Sequence, residues 1–338
     1  MATLADVARR AGVSPATASR VINGSSKPVA NELRERVLRA VADLRYVPNA
    51  HAQLLARPQR SVVGIVVHDV SDPYFAEVTR GLQRVATERG RLLIICNSYR
   101  DPVRELEYVE LLRGQQVAAI VLAGSGYHDA GFTTLLNEKL AAYEATGGRV
   151  AVIGRHDHSG DAVMPANATG GELIGQELLR LGHRRIGVIA GPRILTTITD
   201  RLTGLRRALA GQGVELPEER IRYADFDRDG GARATAELLA TDPAPTAIVA
   251  LNDSMAVGAL ALLRARGIRV PQDVSVLGFD DMPIAADVTP ALTTVRLPLV
   301  ELGVRAMTLA LDPASGQPRV ESLPAELVRR GSTGPAAD

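Results

Sequence analysis

Apolar positions along this chain keep two different periods, and the change falls near residue 60. Before it, Leu4, Val7, Ala8 and Ala11 recur at helical spacing, as do Val13, Ala18, Val21 and Ile22, and then Leu33, Val37, Val41 and Leu44. Three amphipathic helices are predicted, the third over about residues 31–45. From Ser61 the apolar residues come instead as short continuous runs, at 62–67, 92–96, 118–122 and 150–153, and again at 185–190, 221–223, 247–250 and 274–277. Strands apolar on both faces and separated by helical stretches predict parallel sheets covered by helices on both sides. Two series of about four strands read as two similar α/β lobes, with Thr293-Thr294-Val295-Arg296 as a strand returning between them.

Local signals sharpen the first sixty residues. Thr3 precedes the first helix with Asp6 three residues on, a capping box. Gly12-Val13 stops that helix and Ser14-Pro15 starts the next, Ser as N-cap and Pro at the first helical position, where its missing N–H costs nothing. Ser14, Pro15, Ala16, Thr17, Ser19, Arg20 and Asn23 are left on or near the outside of the second helix. Such a capped pair with a glycine turn, followed by a third helix, describes a helix-turn-helix module. Beyond it, Pro48 can start a short helix with Ala52 and Leu55 on one face, ending at Arg57-Pro58. So short a helix is marginal in water and is expected to order only when something holds it.

Charge separates the same two regions. The chain of 338 residues carries a net charge of +1, yet its first sixty residues hold ten Lys/Arg against four acids, so that +6 there faces −5 elsewhere. A small basic module on a mildly acidic body points to a polyanion partner at one end. Hydrophobic residues make up 46% and aromatic ones 3%, so the core is built from Ala, Val, Leu and Ile. No run of eighteen apolar residues and no basic-then-apolar leader occurs, so neither a membrane span nor a signal peptide is expected. The single cysteine, Cys96, excludes an internal disulfide and fits the reducing cytoplasm.

Ligands of parallel sheets bind beyond the carboxyl ends of the strands. The residues there are His68-Asp69, Asp72 with Tyr74-Phe75, Asn97-Ser98, Gly124-Ser125-Gly126, Arg155, Arg201, Asp225-Phe226-Asp227, Asn252-Asp253 and Asp280-Asp281. Guanidinium, carboxylate and a stacking ring are the kit for a polyhydroxy ligand. Catalytic chemistry finds little footing. His156-Asp157-His158 lacks a third metal ligand at useful spacing, Gly124-Ser125-Gly126 lacks the third glycine of a dinucleotide loop, and neither a nucleophile elbow nor a phosphate-loop lysine occurs. No metal, no cofactor and no enzymatic activity are expected.

Seven segments, TLADVARRAGVSPATASRVING, YVPNAHAQLLA, LGHRRIGVIAGP, RLTGLRRAL, PTAIVALNDSMAVGAL, VPQDVSVLGFDD and TPALTTV, stand in the order they take in the LacI/GalR family of bacterial transcriptional regulators, which the chain resembles over essentially its full length. The resemblance implies an N-terminal all-α helix-turn-helix headpiece and an α/β core of two parallel-sheet lobes like the periplasmic binding proteins. Its divisions are 1–46 for the headpiece, 47–60 for a hinge helix, 61–158 plus about 292–322 for the N-terminal lobe, 159–291 plus about 323–332 for the C-terminal lobe, and 333–338 for a disordered tail. It also implies a homodimer on near-palindromic double-stranded operator DNA, without any membrane association.

By position, Pro15, Ala16 and Arg20 would face base edges, Arg20 with the reach for a guanine and Ala16 able to touch only a thymine methyl. Thr3, Ser14, Thr17, Ser19 and Asn23 would grip phosphates, and Leu55, beside Ala52 and Asn49, would wedge open a central base step in the minor groove. Arg201, Asp280, Asn252, Phe226, Tyr74 and Phe75 would hold the effector, with His68, Asp69, Asn97, Ser125 and Arg155 as weaker correspondences. A sugar is the favoured effector and a purine-type ligand or a corepressor the runner-up; a sugar carrier without a DNA role is the remaining alternative. The chain departs from the family at Gly154, where many members carry Asp before Arg155, and at Ala166-Asn167 in place of Asp-Asn. No leucine heptads follow Arg330, so a four-chain assembly is not expected.

Overall fold

The computed structural model describes residues 2–23, 29–46 and 62–337, in two units divided after Ser61. The first is three-helical. Helix α1 (Leu4–Ala11) opens on the expected capping box, Thr3 Oγ1 accepting from the Asp6 amide while Asp6 accepts from the Thr3 amide, and ends at Gly12 with φ 65°. That left-handed turn brings the chain into α2 (Pro15–Asn23), where Ser14 Oγ accepts from the Thr17 amide at 3.1 Å. With α3 (Asn31–Asp43), these helices enclose a small core of Val7, Ala8, Ala11, Ala18, Val37 and Ala40. Asn49, Ala52 and Leu55 lie outside the described residues.

The second unit holds two six-stranded sheets. The first has the order β11-β5-β4-β3-β1-β2, with β1 (Val62–Val67), β2 (Leu92–Asn97), β3 (Ala119–Leu122), β4 (Arg149–Ile153), β5 (Asp161–Pro165) and β11 (Val320–Leu323), every pairing parallel. The second has the order β12-β10-β9-β8-β6-β7, with β6 (Ile186–Ala190), β7 (Ile221–Tyr223), β8 (Ala247–Ala250), β9 (Ser275–Asp280), β10 (Thr293–Arg296) and β12 (Glu326–Val328), where only β12 runs antiparallel to its neighbour. Helices α4 (Pro73–Glu88), α5 (Pro102–Gly114), α6 (Ala130–Glu144) and α12 (Leu299–Leu311) belong with the first sheet. Those of the second are α7 (Asn167–Arg180), α8 (Thr196–Ala210), α9 (Arg228–Leu239), α10 (Asp253–Ala265) and the short α11 (Ile284–Asp287).

Four expectations need correcting. Each lobe gains strands beyond about four: β5 and β11 add to the first sheet, and β12 joins the second outside β10. The lobe boundary expected at residue 158 also moves: the polar loop over 154–160 is a turn inside the first lobe, and β5 returns beside β4 with Ile153 opposite Val163. Thr293–Arg296 joins the second sheet, against β9. The chain therefore passes between lobes three times, after β5, after β10 and after β11. Finally, residues 333–337 are not a loose tail. The Gly334 amide donates to Ser275 Oγ at 3.1 Å, its carbonyl lies 3.1 Å from His183 Nε2, and the Ala336 amide donates to the Leu181 carbonyl at 2.8 Å. Main-chain hydrogen bonds hold this Gly- and Pro-rich strip, and main-chain bonds leave no mark in side-chain patterning.

Paired glycines set the helix spacing. A Cβ on Gly204 of α8 would strike the Ala168 carbonyl of α7, and one on Gly171 of α7 would strike the Arg201 carbonyl of α8. Gly81 with Gly303 does the same for α4 and α12, and Gly231 with Gly258 for α9 and α10. Backbone thus packs on backbone, which brings the start of α7, around Ala168 and Gly171, against the Arg201–Leu205 stretch of α8. Among the described residues no helix is long and apolar enough to cross a membrane.

Candidate functional site

A cavity partly open to solvent lies between the lobes at the carboxyl ends of both sheets. Nine of the eleven residues expected to meet a ligand line it: His68, Tyr74, Phe75, Ser125 and Arg155 from the first lobe, and Arg201, Phe226, Asn252 and Asp280 from the second. Asp69 and Asn97 do not. Asp69 turns back to cap its own loop, accepting from the Ser71 amide and hydroxyl at 2.9 and 2.7 Å. Asn97 ends the edge strand β2, and its buried Oδ1 has no partner among the described residues.

Arg201 is the anchor of the second lobe and is 3% exposed. Its Nε donates to Asn167 Oδ1 at 2.9 Å, its Nη2 to Asp280 Oδ1 at 2.8 Å and its Nη1 to the Leu251 carbonyl, while the guanidinium lies 3.8 Å from the Phe279 ring centre. The paired glycines of α7 and α8 make the Asn167 contact reachable. Asp280 sits at φ 109°, a strained conformation for a residue with a Cβ, and the surrounding contacts hold it there. Burial draws its carboxyl up to about 7, against the pull of Arg201. Asn252 caps α10, accepting from the Met255 amide at 2.8 Å.

Arg100, which sequence patterning did not single out, is the counterpart in the first lobe. It follows β2 with Tyr99, both in the left-handed region at φ 61° and 54°. Its Nη2 donates to Asp72 Oδ2 at 3.3 Å, its Nη1 lies 4.0 Å from Asp69, and its guanidinium stands 5.3 Å from the ring centre of Phe226 across the cavity. Asp72 also caps α4 by accepting from the Tyr74 amide at 3.0 Å. The remaining signal for Arg100 was its place, between a strand's carboxyl end and the Asp101-Pro102 start of α5.

The lobes are also joined directly. Arg155 meets Asp200 of α8 at 2.8 Å, and the Thr196 hydroxyl donates to the Arg155 carbonyl at 2.9 Å. Ser125 Oγ accepts from the Thr197 amide at 3.0 Å, and the Thr196 amide donates to the Gly126 carbonyl at 2.9 Å. Behind the cavity wall His68, Tyr127 and Glu105 form a buried cluster: Tyr127 Oη donates to Glu105 Oε2 at 3.3 Å and lies 3.3 Å from His68 Nε2. Burial pushes Glu105 up to about 8 and His68 well below its ordinary value, so both favour their neutral forms near pH 7. Cys96 is buried and its thiol is pushed up by burial. His156 and His158 turn to separate partners, the Gly154 carbonyl at 3.3 Å and Asn137 Oδ1 at 3.0 Å, and no cluster of three possible metal ligands occurs among the described residues.

In the three-helical unit, Ser14, Pro15, Ala16 and Arg20 stand exposed along α2, with Thr17 and Ser19 half-buried between them. Arg20 makes no hydrogen bond or ion pair among the described residues, whereas Arg10 pairs with Asp43 at 3.2 Å and Arg9 with Asp6 at 3.4 Å. Thr3 spends its hydroxyl on the capping box, with Asp6 Oδ2 at 2.7 Å. Asn23 is the last residue of α2.

Comparison with known proteins agrees with both halves of this picture. Residues 3–49 match the model for bacterial regulatory proteins of the lacI family, and residues 176–333 that for a periplasmic binding protein-like domain. The HTH-type transcriptional regulator GalR of Escherichia coli is 36% identical over 323 residues, 95% of this chain and 92% of that protein. Among solved structures, a complex of the transcriptional regulator CelR with cellobiose is 34% identical, with a TM-score of 0.72 over 98% of this chain and all of the other. A lac repressor dimer bound to operator and the anti-inducer ONPF is 27% identical, with a TM-score of 0.83 over 98% and 99% of the two chains.

Proposed function

This chain belongs to the lacI family of bacterial regulatory proteins, and from that premise we propose that it is a dimeric transcriptional repressor of carbohydrate-utilisation genes, released from its operator by a sugar. The observation that carries the DNA half is the exposed Arg20, unpaired among the described residues, beside Pro15 and Ala16 on α2, within a segment of charge +6. Small neighbours let the helix approach base edges closely, and the Arg20 guanidinium supplies a bidentate donor for guanine. Thr3, Ser14, Thr17, Ser19 and Asn23 grip phosphates and fix the register.

The ligand half rests on the cavity between the lobes, with paired Arg201 and Asp280 and the ring of Phe226 facing it. A sugar presents hydroxyls, which both donate and accept, and an apolar face for stacking. Dimerisation is supported by the edge strand β2, which exposes Leu92, Ile94 and Ile95, with Val103 and Leu111 exposed on α5 beyond it. An apolar sheet edge left bare invites pairing, and a second copy covers it. Ligand binding shifts the balance between two lobe arrangements, and through it the spacing of the two segments that carry Asn49, Ala52 and Leu55.

Selection from random duplexes at low salt, followed by titration of the selected DNA with sugars, tests this. Enrichment of a near-palindrome that a sugar displaces is expected. A protein that enriches no sequence, or whose complex ignores every sugar, refutes the proposal.

A further inference from the structure

We infer that the cavity is built for an uncharged sugar and against its phosphate esters, and that Arg100 is a specificity-determining residue for that choice. The inference rests on the sugar reading above and deepens it. It starts from charge balance. Three arginines reach the cavity, and each already has its own carboxylate: Arg100 with Asp72 at 3.3 Å, Arg155 with Asp200 at 2.8 Å and Arg201 with Asp280 at 2.8 Å. An arriving phosphate would have to take a guanidinium from one of these pairs and leave a carboxylate beside a new dianion, and like charges set side by side are costly.

Helix ends point the same way. Phosphates are commonly held by free amides at helix N-termini. Here the first turn of α4 is capped by Asp72, a carboxylate standing where an anion would sit, and that of α10 by Asn252. At α8 the Thr196 and Thr197 amides donate to Gly126 and Ser125 across the lobes. Helix α7 lacks a side-chain cap, but the side chain of its first residue, Asn167, accepts from Arg201 Nε through Oδ1, so a guanidinium stands engaged at that helix end.

What remains suits a hydroxyl. Arg100 and Asp72 both line the cavity, and among the described residues the guanidinium still lacks an acceptor at its buried Nε, while its other nitrogens face Asp72 and Asp69. A hydroxyl seated beside this pair accepts from the guanidinium and donates to the carboxylate at once, so it adds two hydrogen bonds and no charge. Arg100 also stands over Phe226 from the opposite lobe, so it meets a ligand stacked on that ring.

Calorimetry of the full chain with D-glucose, D-galactose, D-ribose and cellobiose, beside the terminal monophosphates of the monosaccharides, tests the inference. Expected is a neutral sugar bound about a hundredfold more tightly than its own monophosphate. Asp72→Asn keeps a helix-capping side chain but releases Arg100 from its carboxylate, and should narrow that ratio about tenfold. Arg100→Gln should weaken the neutral sugar about tenfold. A native protein that prefers a monophosphate, or an unchanged ratio in Asp72→Asn, overturns the inference while leaving a sugar-controlled regulator in place. Unchanged affinity in Arg100→Gln removes that residue from the specificity set. Binding of no sugar, charged or neutral, overturns the sugar reading itself.

Discussion

Arg155, just beyond β4, and Asp200, on α8, meet at 2.8 Å and tie one lobe to the other at the rim of the cavity. Their side chains are 33% and 29% exposed, so solvent screens the pair and its worth is about 0.2–1 kcal/mol. A contact of that size tips an equilibrium between lobe arrangements without locking it. Arg155→Ala, Asp200→Ala and the double variant should therefore expand the ligand-free protein to the same extent in small-angle scattering. An expansion in the double variant that equals the sum of two independent effects would show that the residues do not act as a pair.

Arg20 is exposed and unpaired among the described residues, so its loss should leave the helical unit folded. Arg20→Ala is expected to weaken the selected operator by about 1–3 kcal/mol and random duplex far less. Equal losses on both, measured by fluorescence anisotropy, would mean that Arg20 meets only the phosphate backbone.

Arg201 is a different case, because its guanidinium is buried and fully engaged. Arg201→Ala leaves Asp280 as an uncompensated carboxyl in a buried site, and should cost about 3–5 kcal/mol of stability as well as the ligand response. Adding Asp280→Asn should restore part of the melting temperature but none of the response. A single variant as stable as the native chain would contradict the geometry.

Glu105 gives a pH dependence of definite sign. Its carboxyl is held at about 8 in the folded chain by burial, above its ordinary 4.5, so the folded state keeps a proton that the unfolded state has lost. Its contribution is complete below about 4.5 and drains away as pH rises toward about 8. Glu105→Gln should remove this decline, so that the variant's melting temperature gains on the native one steadily from pH 5 to pH 8. Parallel curves across that range, set by order of magnitude, would show that Glu105 is ionised in the fold.

Much of this arrangement was legible residue by residue. The Thr3–Asp6 capping box, the Gly12 turn and the Ser14-Pro15 restart are local devices, and each appears where the amino acids place it. Continuous apolar runs marked β1, β3, β6 and β8, because strands buried on both faces leave no polar positions to confuse the pattern. The added strands β5, β11 and β12 were harder, since each is short and β11 and β12, at the sheet edges, are half exposed. Arg100 escaped notice for a related reason: nothing in Tyr99-Arg100-Asp101 distinguishes a ligand-facing arginine from one on a solvated loop.

The order of amino acids dictated the helices and their caps, the strands with two buried faces, the basic character of the first sixty residues and the strand ends from which ligand contacts would come. These are properties of neighbours in the chain, governed by backbone sterics and by the periodicity of burial. The pairing of Arg155 with Asp200, of Arg100 with Asp72 opposite Phe226, and of Arg201 with both Asn167 and Asp280 came only with folding. Each joins segments tens of residues apart that only the packing of strands, helices and lobes brings together, and no local rule encodes which charge will stand beside which.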